Sequence, residues 1–544
     1  MSQSSEQCLS EPEPEQEAEE EPAAAATSAA NATMKKSKGE AVMPRLRIAV
    51  AIVIFVVGSC SFWAHYNSST SSSTSSVDDA AASSLTPAGE SDALKAAWEQ
   101  EQAQAEKMTL TVPLVRQHMP VQNVGGRPFY KSAYYGTLTV GTPAVSFKVV
   151  FDTGSGHLIL PSGYCKSEAC KVHKRYRRSM STTAKDIDYD GTIVKPNEAR
   201  DQITVTFGTG EVTGVFVEDQ VCVSGDTTSG SSDCVNLRII AATEMSEEPF
   251  KSFHFDGVVG LGLESLSQAP EFNFVGVMAT ALKQWGAGMP HTFSVFLADS
   301  PAEQSALTLG GWKREHLNGE IGWSPVLSPQ LGHWIVGIKR ISVNNVTFDF
   351  CKEADECKAV VDTGTSLLAV PSQAFSDLYR QLKHPASLGH CLSDSGEGEP
   401  ELHIELDGFT IKLGPRDYAR MEAEKKDLPP AATPSNSSSN SSSSDVNGSS
   451  SPTNGEELAA QNAEVEQPEL QQQPPAQLCK PTLMSMDLPA PLGPKLFLLG
   501  EPVLRKYFSV YDGENMRVGF GLARHASSAE RSGYFHDAAT VASV

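Results

Sequence analysis

The chain is short of positive charge. It carries 43 Lys and Arg against 66 Asp and Glu, a formal net charge of −23 at pH 7. That balance argues against a nucleic-acid binder, which needs a basic face to meet phosphates. Much of the acid is concentrated in EPEPEQEAEEE, residues 11–21, a run that reads as a solvated tail. The basic run KVHKRYRR, residues 171–178, reads as a surface loop. No cysteine spacing is accompanied by the histidines of a zinc site, so a metal site is the weaker reading. The glycine-rich GTGEVTG, residues 208–214, lacks the Lys-Ser/Thr ending of a phosphate loop. No Ser-His-Asp arrangement competes, and long helical patterns are scarce beyond residue 134.

At 544 residues, 40% hydrophobic and 20% charged, the chain exceeds one ordinary domain and can bury a sizeable core. Residues 1–45 are acidic and Ala-rich without periodicity, and are expected to be a disordered cytoplasmic tail. Lys35, Lys36, Lys38, Arg45 and Arg47 lead into LRIAVAIVIFVVGSCSFWA, residues 46–64. About 19 residues at 1.5 Å each match the roughly 30 Å apolar layer of a bilayer. The run begins too far in for a signal peptide, and the preceding cations hold the short side in the cytoplasm. It reads as a type II signal-anchor, with the remaining body luminal or extracellular. Residues 65–125 read as a Ser/Thr/Ala-rich stalk, then a helix-forming stretch, then the strand-like MTLTVPLVRQ, residues 108–117. Sequons stand at Asn67, Asn345, Asn436, Asn440 and Asn447.

One pattern occurs twice. KVVFDTGSGHLILPS fills residues 148–162 and KAVVDTGTSLLAVPS fills residues 358–372. Each is an apolar run, Asp-Thr-Gly, a hydroxyl residue, a second apolar run and Pro-Ser. One Asp-Thr-Gly is an ordinary turn. Two with matched flanks point to a duplicated lobe presenting Asp152 from one half and Asp362 from the other. Two carboxylates can supply what peptide hydrolysis requires: a base for the attacking water and an acid for the leaving nitrogen. Gly154 and Gly364 permit the tight turns.

On these residues the chain resembles the pepsin and cathepsin D family of aspartic proteases. The likeness runs over about residues 134–524, and the order of further motifs supports it. Val258-Val259-Gly260 and Leu498-Leu499-Gly500 match the hydrophobic-hydrophobic-glycine segment of each family lobe, and HWIVGIKRISVNN from His333 matches the strand after the interlobe linker. The resemblance implies an all-β, bilobal pepsin-like fold. An N-terminal lobe would occupy residues 126–320 and a C-terminal lobe residues 321–524, with a low-complexity insertion over 421–478 and a tail over 525–544. It implies that Thr153 and Thr363 bond across the lobes, and that Ser155 and Thr365 hold the outer carboxylate oxygens. ITVTFGTGEVTG, residues 203–214, resembles the substrate flap, with Phe207, Gly208 and Thr209 at its tip. Phe207 replaces the usual Tyr, Ile159 the usual Trp and His157 the frequent Asn. MTLTVPLVRQ resembles a propeptide strand but stands closer to Tyr134-Tyr135-Gly136 than in the family, so it is either propeptide or first strand of the body. Eight cysteines pair in chain order as Cys165 with Cys170, Cys222 with Cys234, Cys351 with Cys357 and Cys391 with Cys479. The first and last pairs fall where the family has disulfides. The implied activity is cleavage of extended polypeptides between apolar or aromatic residues by a membrane-anchored monomer. A catalytically silent binding protein is the alternative.

Overall fold

The structure is a computed structural model that describes residues 30–35, 88–122, 128–207, 210–223, 233–351, 357–386, 391, 398–423 and 477–526. The apolar run 46–64, Gly208 and Thr209 of the expected flap tip, and residues 424–476 of the insertion lie outside it. Among the described residues no helix is long and apolar enough to cross a membrane.

Each half builds the same three-strand knot. Val145–Asp152 and Cys357–Val361 are rich in Val and almost fully buried toward their C-terminal ends. After the Asp-Thr-Gly turn the chain returns as Leu158–Pro161 or Leu368–Val370. The later strands Gly257–Gly260 and Leu496–Leu499 then insert between. Each lies parallel to the first strand, with Gly260 opposite Asp152 and Leu499 opposite Val361, and antiparallel to the return strand. Gly260 and Gly500 are required by this threading. A Cβ on Gly260 would sit 2.4 Å from the His157 nitrogen, and one on Gly500 would sit 2.3 Å from the Thr365 and Leu367 carbonyls.

A shared sheet joins the halves in the order Leu110–Gln122, Ser305–Leu309, Thr292–Phe296, Tyr507–Asp512, Arg517–Ala523, Leu317–Pro325. Across its middle Phe293 stacks on Tyr511 at 4.6 Å, and the Trp334 indole donates to the Leu261 carbonyl at 2.9 Å. Burying each such side chain stabilises the fold by about 1.5–3 kcal/mol. A second sheet belongs to the C-terminal half alone.

The strand Leu110–Gln122 is built into this framework. Val112 and Leu114 are core residues, and residues 115–122 pair as a hairpin with residues 128–135. The faces of the strand alternate. Arg116 pairs with the buried Glu501, which also accepts from the Tyr134 hydroxyl at 3.0 Å, while Gln117 accepts from the His254 N–H at 2.8 Å. The preceding helix, Ala88–Ala105, is pinned by Arg517 on Glu101 at 2.6 Å and by the Arg314 N–H on Glu106 at 2.7 Å.

Two expectations meet the structure here. The cysteines close in the four expected pairs. The tail 1–45, read as disordered throughout, contributes one strand: Ala30–Lys35 lies antiparallel along Gln202–Phe207, with Ala30 opposite Phe207 and Lys35 opposite Gln202. An edge strand offers unpaired N–H and C=O groups to any extended segment, whatever its hydrophobic pattern.

Candidate active site

Asp152 and Asp362 are 2% and 1% exposed, each at the end of its threaded strand. The turn glycine serves each one: the Gly154 N–H donates to Asp152 Oδ1 at 2.9 Å and the Gly364 N–H to Asp362 Oδ1 at 2.8 Å. The threonines bring the two loops together. The Thr153 hydroxyl donates to the Val361 carbonyl at 2.8 Å and accepts from the Thr363 N–H at 3.0 Å. The Thr363 hydroxyl donates to the Phe151 carbonyl at 2.7 Å and accepts from the Thr153 N–H at 3.0 Å. Thr153 and Thr363 thus bond across the two halves, and Gly154 and Gly364 each donate to the carboxylate of their own turn.

The outer hydroxyls break the symmetry. Thr365 donates to Asp362 Oδ2 at 2.6 Å, as expected. The Ser155 hydroxyl, expected to do the same for Asp152, is buried without a hydrogen-bond partner.

His157 is fully buried on the same loop. Its Nε2 accepts from the Gln268 N–H at 3.1 Å and its ring meets Phe272 edge-on at 5.7 Å. Burial pushes the imidazole down to about 4. His333 is also lowered by burial, with Asp362 opposing that shift.

The segment expected to form the flap is the hairpin of Gln202–Phe207 and Gly210–Cys222. Its second strand is held to Cys234–Met245 as far as Val212 opposite Met245, and the Ser246 N–H donates to the Glu211 carbonyl at 2.9 Å. Phe207 is 5% exposed and packs edge-on against Phe250 at 5.7 Å. Ile159 belongs to the same cluster, and both side a small apolar cavity with Met245, Phe250, Phe255 and Val258.

Sequence reasoning missed Ser132, Ser366 and Glu501. Ser366 follows Thr365, and its hydroxyl donates to the Ser132 carbonyl at 2.7 Å and accepts from the Ser132 N–H at 3.3 Å. Their 234-residue separation leaves no local signal. Among the described residues one trio offers clustered metal-type ligands, Asp299, Glu303 and His525. None of the three belongs to an Asp-Thr-Gly loop. His525 meets Glu303 through Nδ1 and the Arg505 carbonyl through Nε2, both at 2.8 Å, an arrangement that ties down the C-terminal strand end.

Comparison with known proteins agrees with this geometry. The profile described as eukaryotic aspartyl protease matches residues 133–523. The chain belongs to the eukaryotic aspartyl protease family. It is 28% identical to cathepsin E of Mus musculus over 397 residues, 72% of this chain and 80% of that protein. It is 33% identical to pepsin II-2/3 of Oryctolagus cuniculus over 403 residues, covering 73% and 82%. It is 28% identical to pepsin A of Bos taurus over 405 residues, covering 74% and 85%. Peptide hydrolysis is the chemistry of this family, and the mostly β, two-lobed body is its fold.

Proposed function

We propose that the protein is an active aspartic endopeptidase and that Asp152 and Asp362 are its catalytic pair. The observation that carries the reading is the reciprocal threonine bonding, which ties two buried carboxylate loops, one from each half, into a single unit. Like charges about 3 Å apart cannot both ionise, the rule for aspartic-protease pairs. The ionised member takes a proton from water, and the protonated member polarises the scissile carbonyl. The two roles belong to the pair and not to either residue alone. The substrate is an extended polypeptide under the flap formed by Phe207, Gly208 and Thr209, and no cofactor takes part.

Asp152→Asn and Asp362→Asn test this. Each is expected to reduce cleavage of a peptide library at acid pH below about 1%, more than roughly 2.7 kcal/mol of transition-state stabilisation, with thermal unfolding retained. Turnover above that level in a folded single variant rejects the assignment. A wild-type chain that binds an uncleavable peptide and cuts none is instead a silent binder.

The proposed layout is a tail over 1–45, an anchor over 46–64, a stalk and propeptide-like segment over 65–125, lobes over 126–320 and 321–524, and a terminal tail. Four disulfides support an oxidising compartment for a monomeric body. The sequon at Asn345 sits in an exposed turn, which suits glycosylation there. The order of cations and apolar run supports a type II anchor. The strand Ala30–Lys35 on the flap edge supports the contrary, a tail on the same side as the body, since one chain cannot do both at once. Protease added to sealed microsomes separates them. Trimming of the N-terminal tail alone supports the anchor; protection of tail and body together rejects it.

A further inference from the structure

Arg116 leads to the Asp362 loop by two routes. Its guanidinium pairs with Glu501, and the same Glu501 oxygen accepts from the Tyr134 hydroxyl at 3.0 Å. The Glu501 N–H donates to the Thr365 carbonyl at 2.9 Å, and the Thr365 hydroxyl donates to Asp362 Oδ2 at 2.6 Å. By the second route Arg116 Nη2 donates to the Ser132 hydroxyl at 3.2 Å. The Ser366 hydroxyl holds the Ser132 backbone, accepting from its N–H at 3.3 Å and donating to its carbonyl at 2.7 Å. Thr365 and Ser366 are consecutive, three and four residues past Asp362. The hairpin register sets this up, because Arg116 stands opposite Tyr134 and His118 opposite Ser132 on one face of the pair.

Glu501 is buried, and among the described residues Arg116 is the one cation paired with it. Arg505, on the same helix turn as Glu501, donates to the Asp299 carbonyl instead. A buried carboxylate that loses its partner is driven toward water or toward protonation. Movement there cannot be absorbed locally, since a Cβ on Gly500 would already sit 2.3 Å from the Thr365 carbonyl.

The strand carrying Arg116 is paired along its whole length. Residues 110–114 lie on Ser305–Leu309, and residues 115–122 lie on residues 128–135. The segment before it rests on glycines that leave no room for a side chain. A Cβ on Gly288 would sit 1.9 Å from the Gln104 carbonyl oxygen, and one on Gly311 would sit 2.1 Å from that of Ala105.

We propose that Arg116 is a positioning residue for the Asp362 loop, and that the strand carrying it belongs to the active enzyme and is not shed as a propeptide. The proposal rests on the endopeptidase reading and goes beyond it. Arg116 acts through Glu501 and Ser132, so its loss should appear in turnover and not in substrate affinity.

The test compares Arg116→Met, Arg116→Lys and the double variant Arg116→Met with Glu501→Gln, all in the full chain and each checked for cooperative unfolding. With one fluorogenic peptide at acid pH, Arg116→Met should lower kcat at least about tenfold and change KM less than about twofold. Arg116→Lys should come within about threefold of wild type, because a cation still faces Glu501. Adding Glu501→Gln to Arg116→Met should restore kcat at least about threefold, because a neutral amide stays buried without a counterion. Amide hydrogen exchange over residues 362–366 and 500–504, read by mass spectrometry, needs no turnover. Arg116→Met should speed it at least about tenfold in both segments. Where Arg116→Met does not fold, Arg116→Gln takes its place under the same limits. A kcat within about twofold of wild type in the folded variant overturns the proposal, as does a loss confined to KM or unchanged exchange in both segments. So does a fully active chain shown by mass spectrometry to start after Arg116. A wild-type chain that cuts no peptide rejects the endopeptidase reading, and the exchange data then decide by themselves whether Arg116 orders the loop.

Discussion

Thr153 and Thr363 exchange hydrogen bonds across the lobe boundary, each hydroxyl accepting from the other's N–H at 3.0 Å. Each hydroxyl also donates to the carbonyl before the opposite aspartate, Val361 for Thr153 and Phe151 for Thr363. Neither lobe can satisfy these groups alone. The contact therefore acts on assembly and on catalysis together, because it fixes one carboxylate loop by means of the other.

Thr153→Val removes the hydroxyl and leaves the Thr363 N–H and the Val361 carbonyl unpaired. At about 1–3 kcal/mol per buried unsatisfied group, urea unfolding should register a loss of about 2–4 kcal/mol. Thr153→Ser should recover most of it. Thr363→Val should behave alike, and the double variant should cost less than the sum, since both single changes break one shared network. A loss under about 0.5 kcal/mol in either single variant rejects the network as a structural tie.

The two outer hydroxyls should differ in kinetics. The Thr365 hydroxyl donates to Asp362 at 2.6 Å and the Ser155 hydroxyl has no hydrogen-bond partner. A hydrogen bond to a charged group contributes about 1.5–3 kcal/mol, so Thr365→Ala should lower kcat/KM at least about tenfold. Ser155→Ala should change it less than about threefold. Equal losses would mean that Ser155 turns onto Asp152 once substrate is bound.

Much of this was legible in the sequence because the same local chemistry is written twice. Asp-Thr-Gly states its own turn, and Gly260 and Gly500 are glycines because a Cβ there meets backbone within 2.5 Å. Cysteines in close pairs close as expected. What was not legible depends on partners far along the chain. Nothing near Arg116 announces Glu501, and nothing near Ser132 announces Ser366. The strand at 30–35 escaped because edge pairing uses backbone groups that any sequence has. The pairing of Leu110–Gln122 with Ser305–Leu309 in the shared sheet likewise joins residues far apart in the chain.

His157 should make the fold sensitive to acid. Its imidazole is held neutral by burial at about 4, below the 6.5 of an exposed histidine. Between those values the unfolded chain binds the extra proton and the folded chain does not. Stability from this group is therefore complete above about pH 6.5 and declines as pH falls toward 4, by at most about 1.4 kcal/mol per unit and about 3 kcal/mol in all. His333, also lowered by burial, acts with the same sign. His157→Asn keeps an acceptor for the Gln268 N–H and removes the titration. Urea unfolding at several pH values should give a flatter profile for the variant, and parallel profiles would exclude His157 as the cause.

Phe207 should matter through its ring. It packs on Phe250 and beside Ile159, neither of which has a side-chain polar group to bind a flap hydroxyl. Phe207→Ala should lower kcat/KM at least about tenfold, and Phe207→Tyr should change it less than about threefold. Phe250→Ala should reproduce part of the alanine effect by loosening the same contact. A large effect of Phe207→Tyr alone would mean that its hydroxyl meets a partner beyond this cluster.

The insertion should be removable. Its flanking strands, Ala419–Ala423 and Gln477–Pro481, pair with each other, and Ala423 stands opposite Gln477. The chain therefore leaves and re-enters the body at one point. Cys391–Cys479 fixes the second strand independently of what lies between. Residues 424–476 are dominated by Ser, Asn, Gln, Glu and Pro, a composition that cannot bury a core. Replacing them with Asn-Gly should convert the two strands into a tight hairpin, since that dipeptide suits a two-residue turn. Closing a shorter loop costs less entropy, about 0.6 kcal/mol for each halving, so stability should hold or rise by up to about 3 kcal/mol. Secretion yield and the urea midpoint of the shortened chain measure this. Loss of folding with Cys391 and Cys479 still bonded would show that residues 424–476 pack on the body and contribute to its stability.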